Sequence, residues 1–290
     1  MSFSDNFPDF VQTRDATALR NYLTNEHLER NNRALFEACR DGDEKICEVL
    51  ISFGANVNSA VVDNQTPLYA ACKNAHPACV DLLLAHGANI NAGDMDDGRT
   101  PLIATSDEDD IPFGNIIDQF IDNRCRCMRS LLSAGAMIDQ TDNDGHTALM
   151  YATWNLRLAE FLINFGANVN ISDKTQTSIL HDACNRDISG DVVNLLLERG
   201  ANINVVNRHR RTPLHCACNN LYPAVVDSLL RCGADIDIVT SGGYTALQVA
   251  LSRYVTSPNR MDVLKLMAKC AQTRLEPSLA DWIRLARNER

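Results

Sequence analysis

One pentapeptide returns through the whole chain and sets its period. It reads Gly54-Ala55-Asn56-Val57-Asn58, Gly87-Ala88-Asn89-Ile90-Asn91, Gly135-Ala136-Met137-Ile138-Asp139, Gly166-Ala167-Asn168-Val169-Asn170, Gly200-Ala201-Asn202-Ile203-Asn204 and Gly233-Ala234-Asp235-Ile236-Asp237. The steps between successive glycines are 33, 48, 31, 34 and 33 residues. A unit this short cannot bury an apolar face alone, so a chain built from it has to stack its units one on the next.

A second marker keeps the same beat. Thr66-Pro67-Leu68-Tyr69, Thr100-Pro101-Leu102-Ile103, Thr147-Ala148-Leu149-Met150, Ser178-Ile179-Leu180-His181, Thr212-Pro213-Leu214-His215 and Thr245-Ala246-Leu247-Gln248 each open an apolar run. Thr or Ser is a good N-cap and Pro suits the first helical turn, so each marker predicts the start of a first helix, A. Apolar residues at helical spacing, as in Val80, Leu83, Leu84 and Val226, Leu229, Leu230, predict a second helix, B. The glycine closes helix B by taking a left-handed conformation that other residues resist.

Two markers in register six times resemble the ankyrin repeat, and the likeness runs over residues 33 to 272. The resemblance implies an all-α solenoid of about seven helix-turn-helix units with hairpin fingers. It also implies a non-catalytic protein-binding scaffold or adaptor that works through its fingertips and concave face. Residues 1 to 32 lack both markers and are expected to form an N-terminal capping helix pair. The first unit has Arg33 where Thr is expected but keeps Leu35, Ala38, Cys39 and Gly54.

The third unit departs most. From Thr100 to Gly135 is 35 residues against the 21 from Thr66 to Gly87, so roughly 14 are inserted near 107–121. The insert opens on Ser106-Asp107-Glu108-Asp109-Asp110, expected to be a solvated charge run. Ile117, Phe120, Ile121, Arg124, Met128, Leu131 and Leu132 then follow at near-helical spacing, and helix B is expected to start about three turns early. The extension is expected to stand out from the edge opposite the fingers. Residues 273–290 hold a short helical segment, expected either to cover the end of the stack or to act as a truncated recruiting helix. Ser278-Leu279 with Arg284, Leu285 and Ala286 resembles the first helix of a SOCS box, with Ile283 where that family has Cys. That resemblance implies the alternative role, a substrate-recognition subunit of an elongin-cullin ubiquitin ligase.

Composition narrows the partner. With 27 basic against 37 acidic residues the formal net charge is −10, which argues against nucleic acid or an anionic membrane and for a protein partner. No stretch approaches the length of a membrane span, so a cytoplasmic protein is expected, with the nucleus as the second compartment. Of 11 cysteines, Cys39, Cys72, Cys184 and Cys218 share one slot in helix A, where Cys packs as a small apolar residue. Equivalent slots in stacked units lie roughly 8 to 10 Å apart, beyond the reach of a disulfide. Free thiols and a reducing compartment are therefore expected, and separately a monomer.

Little here carries catalytic chemistry. His181, Cys184, His215 and Cys218 would suit zinc in kind, but stacked helices hold them too far apart to converge, and the histidines are expected to hydrogen-bond between units instead. No nucleophile elbow, phosphate loop or H-E-x-x-H occurs, so no active site, metal or cofactor is expected. Asn58, Asn91, Asn170 and Asn204 resemble ankyrin asparagines that are substrates of an oxygen-sensing hydroxylase, though a structural turn role is the expected one. The expected binding surface comprises Arg208, His209, Arg210 and Arg211 on one fingertip, Tyr244 on the next, and Tyr151 and Trp154 near helix A of the fourth unit. Trp, Tyr and Arg dominate binding hot spots, and a basic tip suits a partner with an acidic segment.

Overall fold

A computed structural model describes residue 17 and residues 28–61, 65–94, 96–108, 111, 116–187, 189–252 and 258–272. Most of the expected N-terminal cap, and the whole C-terminal segment that resembles a SOCS box, lie outside them. Among the described residues the helices fall into consecutive pairs: α1 (Leu28–Asp41) with α2 (Glu44–Ser52), α3 (Pro67–Lys73) with α4 (Pro77–Ala85), and α5 (Pro101–Ala104) with α6 (Ile117–Ser133). α7 (Ala148–Tyr151) runs into a 3₁₀ turn at Ala152–Trp154 and is followed by α8 (Leu156–Asn164). Then come α9 (Ile179–Arg186) with α10 (Asp191–Glu198), α11 (Pro213–Asn220) with α12 (Pro223–Arg231), and α13 (Ala246–Ser252) with α14 (Pro258–Gln272). No strand forms among the described residues, where single bridges such as Ser172 to Ser178 and Val239 to Thr245 lie within fingers.

The chain divides into two compact bodies. One holds the residues up to Ala152 with Phe161–Ala167, the other Thr153–Glu160 with the residues from Asn168 on. In the first body the A helices α1, α3, α5 and α7 pack in sequence, as do the B helices α2, α4 and α6. In the second, α9, α11 and α13 form one row and α10, α12 and α14 the other.

Local chemistry explains the pairs. The side chains of Thr66, Thr100, Thr147, Ser178 and Thr212 each accept the backbone N–H three residues on, which satisfies a donor the helix leaves open. Leu68, Leu102, Leu149, Leu180 and Leu214, two residues after each cap, are buried, and each contributes about 1.5–3 kcal/mol. The B helices α2, α4, α6, α8, α10 and α12 end in Schellman turns. In α4 the Gly87 N–H reaches Leu84 O at 3.1 Å and the Ala88 N–H reaches Leu83 O at 3.0 Å, with Gly87 at φ +80°.

The third pair differs from its expectation in two respects. α6 starts 18 residues before Gly135, whereas α4 starts 10 before Gly87, so the helix begins eight residues early, just over two turns instead of three. The acidic run also begins inside the protein. Asp107 is buried, and its carboxylate takes a 2.7 Å hydrogen bond from Arg99 Nη1, while its backbone carbonyl accepts from Arg124 Nη1. Arg124 is fully buried on α6 at a position in the apolar spacing, its guanidinium 4.7 Å from the Phe120 ring centroid. A solvated run was expected because sequence alone does not show that these two arginines converge on Asp107.

All 11 thiols are free. Cys39 and Cys47, on α1 and α2 of one pair, nonetheless bring their sulfurs to 3.4 Å, and Cys79 on α4 also meets Cys47. The Cys39–Cys47 contact crosses between helices A and B, a direction that the comparison of equivalent slots does not cover.

Candidate protein-binding surface

Five described fingers are each built by one side chain folding the backbone over itself. Asp94, Asp142, Asp173 and Asn207 each accept, through Oδ1, two backbone N–H groups of their own turn; for Asn207 these are His209 at 2.9 Å and Arg211 at 3.1 Å. Thr240 does the same once, for Tyr244 at 3.2 Å. The next-to-last residue of the turn is left-handed, which Gly98, Gly145 and Gly243 meet without strain. Gln176 and Arg210 meet it with side chains attached, at φ 62° and 55°.

The expected histidine role is present in the second body. His181 Nε2 lies 2.8 Å from Arg211 O and His215 Nε2 lies 3.0 Å from Tyr244 O, so each ring holds the last residue of the next finger. Because Nδ1 accepts the backbone N–H of Ser178 or Thr212, at 3.2 and 3.1 Å, each ring is the neutral tautomer that donates from Nε2. Burial, the largest cause, pulls both pKa values below 6.5. Arg211 and Tyr244 are thus equivalent in successive repeats.

Arg208, His209, Arg210 and Arg211 are all exposed, and Tyr244 is 58 % exposed. Arg208 Nε meets His209 Nε2 at 3.2 Å. None of the three arginines forms an ion pair with a described carboxylate. Tyr151 is set differently, in the first body. It is half-buried, its hydroxyl donates to Asp142 Oδ2 at 2.9 Å, and Arg99 stacks 4.9 Å from its ring centroid. Burial, then the bond to Asp142, raises its pKa. Trp154, in the second body, is half-buried at the end of the 3₁₀ turn.

Lys174 was not among the expected residues. It follows Asp173 as Arg208 follows Asn207 and is exposed on the neighbouring finger, so aligning the finger turns would have found it.

Among the described residues no group of three or more His, Cys, Asp or Glu side chains is arranged to hold a metal ion. A cleft of about 340 Å³ in the second body is lined by residues including Asn170, Ser178, Leu180 and Asn202, with no titratable group among the lining. Asn170 Oδ1 accepts the Asn202 N–H at 2.9 Å and its Nδ2 donates to Gly200 O at 3.1 Å. Asn58 makes the same pair of bonds to Asn89 and Gly87. These asparagines join successive repeats. No described helix is long and apolar enough to cross a membrane.

Among the described residues, the recurring capped A helices, Schellman-closed B helices and turn-built fingers in register define a protein of the ankyrin class. The family model for ankyrin repeats in three copies matches residues 12–94, 35–111, 116–207 and 180–275, and the chain belongs to that family. Among solved structures it is similar to the human ASB11 ankyrin repeat domain, with TM-score 0.65 and 24 % identity over 84 % of this chain and 99 % of that one. It is also similar to the ankyrin repeat domain of Bcl-3, a member of the IkappaB family, with TM-score 0.62 and 26 % identity over 80 % of this chain and 97 % of that one. No curated protein matches the chain. Ankyrin repeat domains are in general non-catalytic and bind proteins.

Proposed function

We propose that this chain is a non-catalytic adaptor that holds a partner protein on the fingertips of its second body, at Arg208, His209, Arg210, Arg211 and Tyr244. The observation that carries this reading is three exposed arginines without carboxylate partners, beside an exposed tyrosine on the next finger. Arg and Tyr are residue types enriched in hot spots, and fingertips carry no share of the buried core. Trp154 belongs to the same reading as an aromatic anchor at the end of its helix. An acidic segment on the partner would complement the arginines, in a cytoplasmic setting.

The test is quantitative capture from cell lysate with the wild-type chain and with Arg210→Glu, followed by mass spectrometry. Partners retained by the wild type should fall at least tenfold with the variant while the melting curve stays within about 1 °C. If those partners persist with Arg210→Glu and vanish with Ile117→Asp on the exposed start of α6, the surface lies on the extended helix and the fingertip reading is wrong. A second reading, a receptor for an elongin-cullin ligase, stands on residues 278–287 alone. Stoichiometric elongin co-purifying with the intact chain would establish it.

A further inference from the structure

We propose, on the basis of that reading, that three successive fingers form a track for one extended acidic segment of the partner, read by Lys174, by the arginines and by Tyr244. The three fingers, 173–177, 207–211 and 240–244, are tied tip to tip by backbone hydrogen bonds. Arg208 N–H donates to Thr175 O at 3.3 Å, and Ser241 N–H donates to His209 O at 3.0 Å. The finger backbones therefore stand in a fixed row, and contact has only the side chains left to order.

The row has a polarity. Lys174 occupies the first finger and Arg208, Arg210 and Arg211 the second, all exposed and without a described carboxylate partner. The nearest acid in sequence, Asp173, is consumed by its own turn, accepting Thr175 N–H at 2.7 Å, Thr177 N–H at 2.8 Å and the Thr175 hydroxyl. On the third finger Gly242 and Gly243 leave Tyr244 as the only large side chain. Its ring lies flat enough that Cε2 would stand 3.1 Å from a Cβ on Gly242. Arg210 adds a separate indication. Like Gln176 on the first finger, it keeps a long side chain at a left-handed position that glycine fills in three other fingers, and the proposed track gives the guanidinium a use that offsets the strain.

Equivalent points of stacked repeats lie roughly 8 to 10 Å apart, and an extended chain advances about 3.3 Å per residue. Consecutive fingers therefore read residues about three apart. The segment has acidic side chains facing the first two fingers and an apolar or aromatic one against Tyr244. A chain with net charge −10 and a footprint of four cations suits a short peptide better than a nucleic acid backbone.

The probe is a fluorescein-labelled peptide of about nine residues, with glutamates in its first two thirds and one phenylalanine near its end, followed by anisotropy. The full chain should bind it at low salt, with affinity falling at least tenfold as salt rises to physiological strength. Lys174→Glu and Arg208→Glu should each weaken binding at least fivefold. Tyr244→Ala should weaken it only when the phenylalanine is present. The proposal is overturned if the wild type does not bind at low salt, if Lys174→Glu and Arg208→Glu bind normally, or if an oligothymidine of equal charge binds more tightly. A captured partner that depends on Arg210 while the peptide fails would leave the adaptor reading standing and remove only the acidic track.

Discussion

Glycine and its imitators carry most of the information at the residue scale. Gly87 and Gly200 stand at φ +80° and +83°, and nothing lies within 4 Å of a Cβ placed on either. Gly87→Ala or Gly200→Ala should therefore lose only the backbone term, about 1–2 kcal/mol in a urea titration. A neutral result at both would contradict these helix ends. Arg210 is the converse case. Replacing it with glycine relieves a similar strain but adds glycine's chain entropy, about 0.5–1 kcal/mol, so Arg210→Gly should change stability by less than about 1 kcal/mol while weakening partner binding. A loss of 2 kcal/mol or more would mean that the side chain supports the fold. The sequence announces Gly87 because its neighbours repeat. It hides the left-handed state of Arg210, since that slot shows glycine in only some fingers and the turn-building Asn207 has to be aligned first.

Elements here depend on contacts between helices and the fingers they hold. His181 and His215 have pKa values lowered by burial from 6.5, so the unfolded chain binds protons more readily. Their stabilisation is complete above about pH 6.5 and is lost as pH falls through the lower folded-state values, because protonated Nδ1 would face a backbone N–H. Gln248 fills the same slot in the last described pair, its Oε1 accepting the Thr245 N–H at 2.8 Å, and it does not titrate over this range. The double variant His181→Gln with His215→Gln should therefore show a flatter melting temperature between pH 7.5 and 5.5 than the wild type. Equal slopes would mean that these rings do not report pH. Arg124→Ala should cost on the order of 3 kcal/mol by chemical denaturation, since it removes a buried guanidinium that α6 packs against Phe120 and the Asp107 carbonyl. The extra length of α6 was legible from its apolar spacing. Its first turn and the burial of Asp107 were not, because they depend on where Arg99 and Arg124 arrive in space.

For the molecule as a whole, repeat proteins gain stability from neighbours, so each repeat opens with its own free energy. The thiols sample this along the chain. Cys39 and Cys47 lie in the first described pair, Cys72 and Cys79 in the second, Cys125 and Cys127 in the third, Cys184 in the fifth, Cys216, Cys218 and Cys232 in the sixth, and Cys270 in the last. Chain purified without reductant and protected from air should titrate as 11 free thiols after denaturation. A protected pair would contradict the reduced state. Eight of these thiols are buried and one, Cys232, is exposed. Burial raises the pKa of Cys216 to about 11 and of Cys127 to about 12, with Cys72 and Cys184 also shifted upward, so an alkylating reagent reaches them only when their repeat opens. Residue-resolved labelling rates in the native protein thus become a clock for each repeat, with Cys232 as the unprotected reference and no tag or probe added. The fourth pair carries no thiol and is silent on that clock. At the other extreme the neighbouring sulfurs of Cys39 and Cys47 would register one opening event twice.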